Sequence, residues 1–352
     1  MRGVVFLGDK ELELRTFEDP EPGPGEVVIE MKASGMCGTD LKFYRAPKGF
    51  GVLESLGASC PTGDAVISGH EPCGVVVAVG ADVGPLVAKV GDRVMVHHYL
   101  GCTMCNHCRS GWSQMCDVMP IVAYGFTAHG GHAPYMKAPA ITLVKLPDEV
   151  SFAAGAALAC GSGTAYQGLC RLDLSARDSI AIFGQGPVGA SATQFAAAMG
   201  AEVIAVDINP SRLEFGKRMG ATHVIDSTKV DPVESIMALT RGKGVSRAMD
   251  ASGTAEGRSA AIRSAAAWGC VAFVGEGGDV TIDVSRDVNR KQLNILGSHT
   301  FSTKGLSECA QFVADRQVDV EKLFTSRYAL EDAAEAYRTF DKGEGGKGVF
   351  VF

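Results

Sequence analysis

Ser179-Ile180-Ala181-Ile182-Phe183-Gly184-Gln185-Gly186-Pro187-Val188-Gly189 sets a short apolar run against a glycine-rich turn of the form G-x-G-x-x-G. In a chain with 44 glycines that match alone carries little. Its context carries more, because a strand-like run precedes it and the alanine-rich residues 188–199, which have helical composition, follow it. Strand, tight turn and helix in this order suit a dinucleotide pyrophosphate. Gly184 permits the turn, Gly186 lets backbone approach the phosphates, and Gly189 allows close helix–strand packing. The helix start adds free N–H groups and partial positive charge. Asp207 lies eighteen residues beyond Gly189, at the end of the apolar run 203–206. A carboxylate there accepts hydrogen bonds from the adenosine ribose and repels a 2′-phosphate, which favours NAD(H) over NADP(H). Arg212 can stack near the adenine edge, where its charge would soften that preference for NAD(H).

Outward from this turn, strands and helices alternate. Residues 202–206, 223–225, 247–250 and 271–274 read as strands, and 210–219, 232–240 and 255–267 as helices. That alternation predicts a doubly wound parallel sheet over 162–297. Residues 1–161 differ: short β-like runs (27–31, 74–79, 93–97) are broken by Gly and Pro, as in an irregular, mostly β domain. Past 297 come helical stretches at 303–315 and 330–340 and an apolar terminal strand at 348–352. Residues 298–352 are therefore expected to return to the first domain.

The formal net charge of -7 argues against a nucleic-acid partner, and no apolar run is long enough to span a membrane or serve as a signal core. A cytoplasmic protein is the expectation. In such a chain eleven cysteines suggest metal ligands or buried thiols rather than disulfides. Four of them form Cys102-x2-Cys105-x2-Cys108-x7-Cys116. Four thiolates so spaced wrap one tetrahedral zinc and leave no open position, which makes the site structural. Further candidate ligands stand in Gly35-Met36-Cys37-Gly38-Thr39-Asp40 and Gly69-His70-Glu71-Pro72. Taken singly, Cys37 reads as a buried thiol and His70 as a core imidazole.

Taken together, these segments resemble the zinc-containing medium-chain dehydrogenase/reductase family, which includes alcohol, sorbitol and threonine dehydrogenases. The likeness spans essentially the whole chain: Cys37–Asp40, Gly69–Glu71, the four lobe cysteines and Gly184–Gly189 each match a family motif. It implies a GroES-like, mostly β catalytic domain (1–161 and 298–352) and a Rossmann coenzyme domain (162–297). It also implies two zinc ions and NAD per chain, an alcohol or carbonyl substrate, and a homo-oligomer, a tetramer ahead of a dimer. By the same likeness Cys37 and His70 hold a catalytic zinc. Cys160 is the third ligand, and Glu71 is a neighbouring or exchanging one. Thr39 takes the substrate proton, and Asp40 steadies the zinc site. Lys42 stands where many members have the histidine that ends the proton relay. Lys347 matches a basic partner near the zinc, or else is a solvated loop lysine. Thr164, Val188, Ser252, Val274, Gly275, Ser298 and Thr300 match positions along the cofactor.

The substrate is left open. Residues 43–68, with Tyr44, Phe50, Val52, Leu53 and Leu56, form either a loop over the substrate mouth or a surface insertion. His97, His98, Trp112, Tyr124 and Phe301 are candidates for pocket or core alike. A polyol or amino-alcohol dehydrogenase of the same fold is the nearer alternative to an alcohol dehydrogenase. A non-catalytic, zinc-stabilised nucleotide-binding protein is the more distant one.

Overall fold

The run Ser179–Phe183 is the first strand of a six-stranded parallel sheet, and Ile180, Ala181 and Ile182 are fully buried, as expected for a strand covered on both faces. The computed structural model describes residues 1–48, 65–343 and 346–352. They form two compact units. One is built from Met1–Gly163, Phe301–Gly343 and Lys347–Phe352, and the other chiefly from Thr164–Thr300.

In the second unit the strands lie in the order His223–Asp226, Glu202–Asp207, Ser179–Phe183, Val245–Asp250, Ala265–Phe273, Asn294–Gly297, all parallel. Numbered within the unit, that order is 3-2-1-4-5-6. Winding reverses between the first and fourth strands, where such sheets open a crevice at their carboxyl ends. Phe183, Ile204, Val206, Ile225, Ile236 and Val271 share its core. Helix starts follow local chemistry. Asn209 Oδ1 accepts from the N–H groups of Ser211 and Arg212 at 2.9 and 3.3 Å, and Asp231 Oδ1 from Val233 and Glu234 at 2.7 and 3.0 Å. Proline follows each cap as the first helical residue, where its missing N–H costs nothing.

One helix is shorter than its alanines suggest. The helix expected over 255–267 stops at Ser264, and the strand Ala265–Phe273 starts at once. The Lys291 ammonium donates to the carbonyls of Ile262, Arg263 and Ala265 at 3.3, 2.6 and 2.9 Å and closes the helix. Pairing of Ala265 with Val245 then outweighs helix propensity.

In the first unit, strands Phe324–Tyr328, Lys347–Val351, Glu26–Gly35, Pro72–Val79, Arg93–Val96 and Leu143–Lys145 are neighbours in that order, and Tyr135–Pro139 also pairs with Glu26–Gly35. Val27, Ile29, Met31, Val76, Val94, Val96 and Met136 make one core, and Val4, Met36, Tyr44, Tyr337 and Phe350 another. The terminal strand Lys347–Val351 lies antiparallel to Glu26–Gly35 in this unit. Among the described residues no helix is long and apolar enough to cross a membrane.

Candidate active site

The strand Glu26–Gly35 runs through Met36 to Cys37, which caps the helix Gly38–Arg45. Three residues on, Asp40 turns back, and its Oδ2 accepts from the Cys37 N–H at 2.8 Å. Its Oδ1 lies 2.8 Å from Nδ1 of His70. Both side chains are buried, so the carboxylate fixes the imidazole with Nε2 as the remaining nitrogen. That Nε2 is buried and has no hydrogen-bond partner. The next residue, Glu71, is fully buried and in ion-pair contact with Lys347, whose Nζ lies 2.7 Å from Oε1 and 2.5 Å from Oε2. Lys347 is only 2 % exposed and also donates to the Met36 carbonyl at 2.9 Å. It is not a solvated loop lysine. Cys160 comes from elsewhere in the chain, a π-helical turn, Leu158–Ser162, between the helices Phe152–Ala157 and Gly163–Arg171. Such turns are rare and occur often at functional sites. No local sequence pattern marks this turn.

The result is one buried cluster. Donor atoms of Cys37, His70, Glu71 and Cys160 all lie within 4.8 Å of one another, and the two sulfurs are 3.9 Å apart. Its electrostatics suit a bound cation. The hydrogen bond shared with the Cys160 sulfur holds Cys37 well below the usual thiol range, helped by His70 and Lys347 against the effect of burial. Cys160 is pushed up in turn by that thiolate and by burial. Burial depresses His70, but Asp40 and Cys37 outweigh it and raise it well above its ordinary value. Burial also lifts Glu71 to about 8, against the opposing pull of Lys347. A metal ion binding sulfur and imidazole would take the place of these protons. The orphaned His70 Nε2 facing two sulfurs and a carboxylate fits zinc, with three or four protein donors available.

The second cysteine group also converges. Cys102, Cys105, Cys108 and Cys116 place their sulfurs within 4.8 Å of one another, with Cys102 and Cys108 at 3.9 Å. Backbone N–H groups of Cys102, Cys105 and Cys108 point at neighbouring sulfurs at 3.4, 3.2 and 3.5 Å. All four are half-buried, and the tetrad offers only thiolates.

In the second unit, Gly184 has φ +89°, and a Cβ on Gly189 would lie 1.7 Å from the Gly184 carbonyl oxygen. No other residue fits at Gly189. Asp207, buried at the end of its strand, accepts from the N–H of Gln185 at 2.6 Å and of Asn209 at 2.9 Å. A cleft of about 770 Å³ is lined by Gly184, Gly186, Asp207, Arg212 and Ser252, among others. Arg212 Nε is buried without a partner. Val188, Thr164, Val274, Ser298 and Thr300 do not line this cleft. Val274 and Ser298 follow the fifth and sixth strands of the unit, and the Ser298 hydroxyl is buried without a partner.

Thr39 is half-buried between Cys37 and Asp40 in the first helical turn, and Lys42 is exposed on the same helix. Phe43 stacks on Phe126 at 4.5 Å, and Phe126 in turn lies 4.6 Å from the His70 ring. His98 packs 5.1 Å from His70. His97 is a core imidazole between the carbonyls of Phe301 and Tyr99. Phe50, Val52, Leu53 and Leu56 lie outside the described residues. Sequence reasoning passed over His132, which touches both Ser34 and Tyr337 at 2.7 Å; no motif marks it.

Residues 23–148 match the family described as alcohol dehydrogenase GroES-like domain, and 187–315 the one described as zinc-binding dehydrogenase. An uncharacterised zinc-type alcohol dehydrogenase-like protein of Escherichia coli K12 is 38% identical over 100% of this chain and 99% of its own length. The chain belongs to the zinc-dependent medium-chain dehydrogenase family. A second relative, the sorbitol dehydrogenase of Bacillus subtilis, is 31% identical over 96% of this chain and 92% of its own. A solved NAD-dependent alcohol dehydrogenase covers 100% of both chains with TM-score 0.85 and 28% identity. As in other members, one unit is GroES-like and the other a Rossmann fold, and the chain is an oxidoreductase of this family.

Proposed function

We propose that the chain is a zinc-dependent, NAD(H)-linked alcohol dehydrogenase, interconverting a primary or secondary alcohol and its aldehyde or ketone. The observation that carries this is the buried group of Cys37, His70, Glu71 and Cys160 with its unpartnered imidazole nitrogen, in a chain of this family. Cys37, His70 and Cys160 would hold a catalytic zinc, with Glu71 as a neighbouring or exchanging ligand. Cys102, Cys105, Cys108 and Cys116 would hold a structural one. Zinc at the first site supplies Lewis acidity that lowers the pKa of an alcohol oxygen. NAD supplies the hydride acceptor.

The chain's own residues do the rest. Asp40 fixes the His70 tautomer and the Cys37 backbone together. Lys347 pairs with Glu71 and opposes the rise that burial imposes on its carboxyl. Thr39 takes the substrate proton, and Lys42 or water carries it outward. Gly184, Gly186, Val188 and Gly189 shape the pyrophosphate turn, and Asp207 receives the ribose hydroxyls with Arg212 beside the adenine. Thr164, Ser252, Val274, Ser298 and Thr300 belong to the same coenzyme surface in this proposal. So does assembly as a homo-oligomer, which light scattering checks.

A polyol substrate is the second reading, supported by the likeness to a sorbitol dehydrogenase. The test is NAD+ reduction across alcohols, polyols and hydroxy acids, with metal content measured on the same preparation. Two zinc ions per chain and turnover of simple alcohols are expected. Turnover of polyols alone selects the second reading. No reduction of NAD+ by any of them, or no zinc beyond the lobe, overturns the proposal.

A further inference from the structure

Two turns at the carboxyl ends of the strands Val245–Asp250 and Ala265–Phe273 are tied together by side chains that no step above uses. The first turn is 251–254, and the fully buried Asp250 builds it. Its Oδ1 accepts from the N–H and the hydroxyl of Ser252 at 2.9 and 2.6 Å. The Gly253 N–H is shared between Oδ1 and Oδ2 at 3.3 and 3.2 Å. A carboxylate that takes the backbone N–H two residues on closes a turn. The second turn is 275–278. Arg258, on the helix Ala255–Ser264, donates from Nη2 to the Gly275 carbonyl at 2.7 Å and from Nη1 to the Gly278 carbonyl. Its Nε stands 3.4 Å from Asp250 Oδ2, in ion-pair contact. One planar fork thus holds the second turn against the carboxylate that builds the first.

The turns pack backbone on backbone, with no room for a side chain between them. A Cβ on Gly253 would lie 2.4 Å from the Glu276 carbonyl oxygen, and one on Gly275 2.3 Å from the Gly253 nitrogen. The first turn also supports the glycine turn: a Cβ on Gly184 would lie 2.9 Å from Ser252 Cα. Ser252, Thr254 and Glu256 line the same cleft as Gly184 and Asp207, whereas Asp250 and Arg258 do not. The pair stands behind the wall. A shift of 252–254 moves that wall and takes support from Gly184.

We propose that Asp250 and Arg258 are positioning residues for the coenzyme. Acting through Ser252 and the 275–278 turn, they fix the cleft wall against which a dinucleotide binds. The proposal rests on the reading of this cleft as the NAD site.

The experiment is fluorescence titration of the native enzyme with NADH, alongside thermal unfolding and steady-state kinetics with NAD+ and an alcohol. Arg258→Met keeps the apolar stem and removes the fork. Its dissociation constant for NADH and its Michaelis constant for NAD+ are expected to rise ~10-fold or more, with kcat at saturating NAD+ within ~2-fold of wild type. Arg258→Lys keeps the charge beside Asp250 but not the fork; it should lose less thermal stability and still weaken NADH ~3-fold or more. Arg247, on the same strand as Asp250, also donates to carbonyls, those of Leu172 and Ser246 at 2.6 and 3.1 Å, but does not line the cleft. Arg247→Met should lose thermal stability and bind NADH like wild type. NADH bound by both Arg258 variants as tightly as by wild type overturns the proposal. So does an Arg247→Met enzyme that weakens NADH as much as Arg258→Met, because loosening of the fold would then explain both. Wild-type enzyme that binds no NADH defeats the reading of the cleft itself, and the positioning role with it.

Discussion

Nδ1 of His70 lies 2.8 Å from Oδ1 of Asp40, and the same carboxylate's Oδ2 receives the Cys37 N–H at 2.8 Å. One side chain therefore orients two candidate ligands that stand 33 residues apart in sequence. An Asn at position 40 has one acceptor oxygen for these two donors and turns its NH2 on the other. Asp40→Asn is expected to weaken zinc retention ~10–100-fold and to lower kcat/KM with it. Metal content after dialysis against a chelator, with steady-state kinetics, checks this. Full zinc retention would show that Asp40 does not steady the site.

The buried pair Glu71–Lys347 makes a prediction about stability. Lys347→Met leaves the buried Glu71 carboxyl protonated and without its ion-pair partner, and is expected to cost about 1–3 kcal/mol in urea denaturation. Glu71→Gln/Lys347→Met removes the ionisable carboxyl as well and should recover part of that. A single variant as stable as wild type would mean that solvent reaches Glu71.

Asp207 already accepts from two backbone N–H groups, so its carboxylate is preset for the ribose. Asp207→Ser loses charge-assisted hydrogen bonds worth about 1.5–3 kcal/mol. The Michaelis constant for NAD+ should rise ~10–100-fold, while that for NADP+ falls as the repulsion is lost. Initial-rate measurements with both coenzymes decide it, and an unchanged ratio would remove Asp207 from coenzyme selection.

Burial pushes His132 down from its ordinary 6.5 to about 4. Folded, it stays neutral in that window; unfolded, it takes up a proton. The unfolded chain binds more protons there, so stability falls as pH drops from about 6.5 to about 4, by on the order of 3 kcal/mol. Urea denaturation across this range should show that slope, and His132→Phe should flatten it. A variant that keeps the full slope would assign the acid sensitivity elsewhere.

In the cysteine lobe without metal, Cys116 is drawn down to about 6 by the N–H groups of Cys102, Val118 and Met119, while Cys108 is pushed up to about 12, first by burial. Near neutral pH Cys108 still carries its proton, which zinc must displace. Zinc affinity of the lobe should therefore rise with pH between about 6 and 8, with protons released on binding. Titration with a pH indicator measures this; pH-independent affinity would place the metal on other ligands.

Much of this was open to inspection in the chain itself. Residues 179–189 announce the Rossmann unit because a buried parallel strand, a glycine turn and an alanine-rich helix each leave a local pattern. The cysteine lobe was equally plain, since its four cysteines are neighbours in sequence. The helices expected from 210 and from 232 begin at those residues, where the structure shows Asn209 and Asp231 as caps. The end of the helix at Ser264 escaped, because it is set by strand pairing with Val245 and by the distant Lys291.

Local order along the chain thus decided the fold class, the turn at Gly184–Gly189 and the lobe, all of which depend on hydrogen bonds and spacings within a few residues. Folding alone decided the rest. Cys160 meets Cys37 across 123 positions, and Lys347 meets Glu71 across 276. Whether a lysine is solvated or paired depends on burial, and burial is a property of the packed chain.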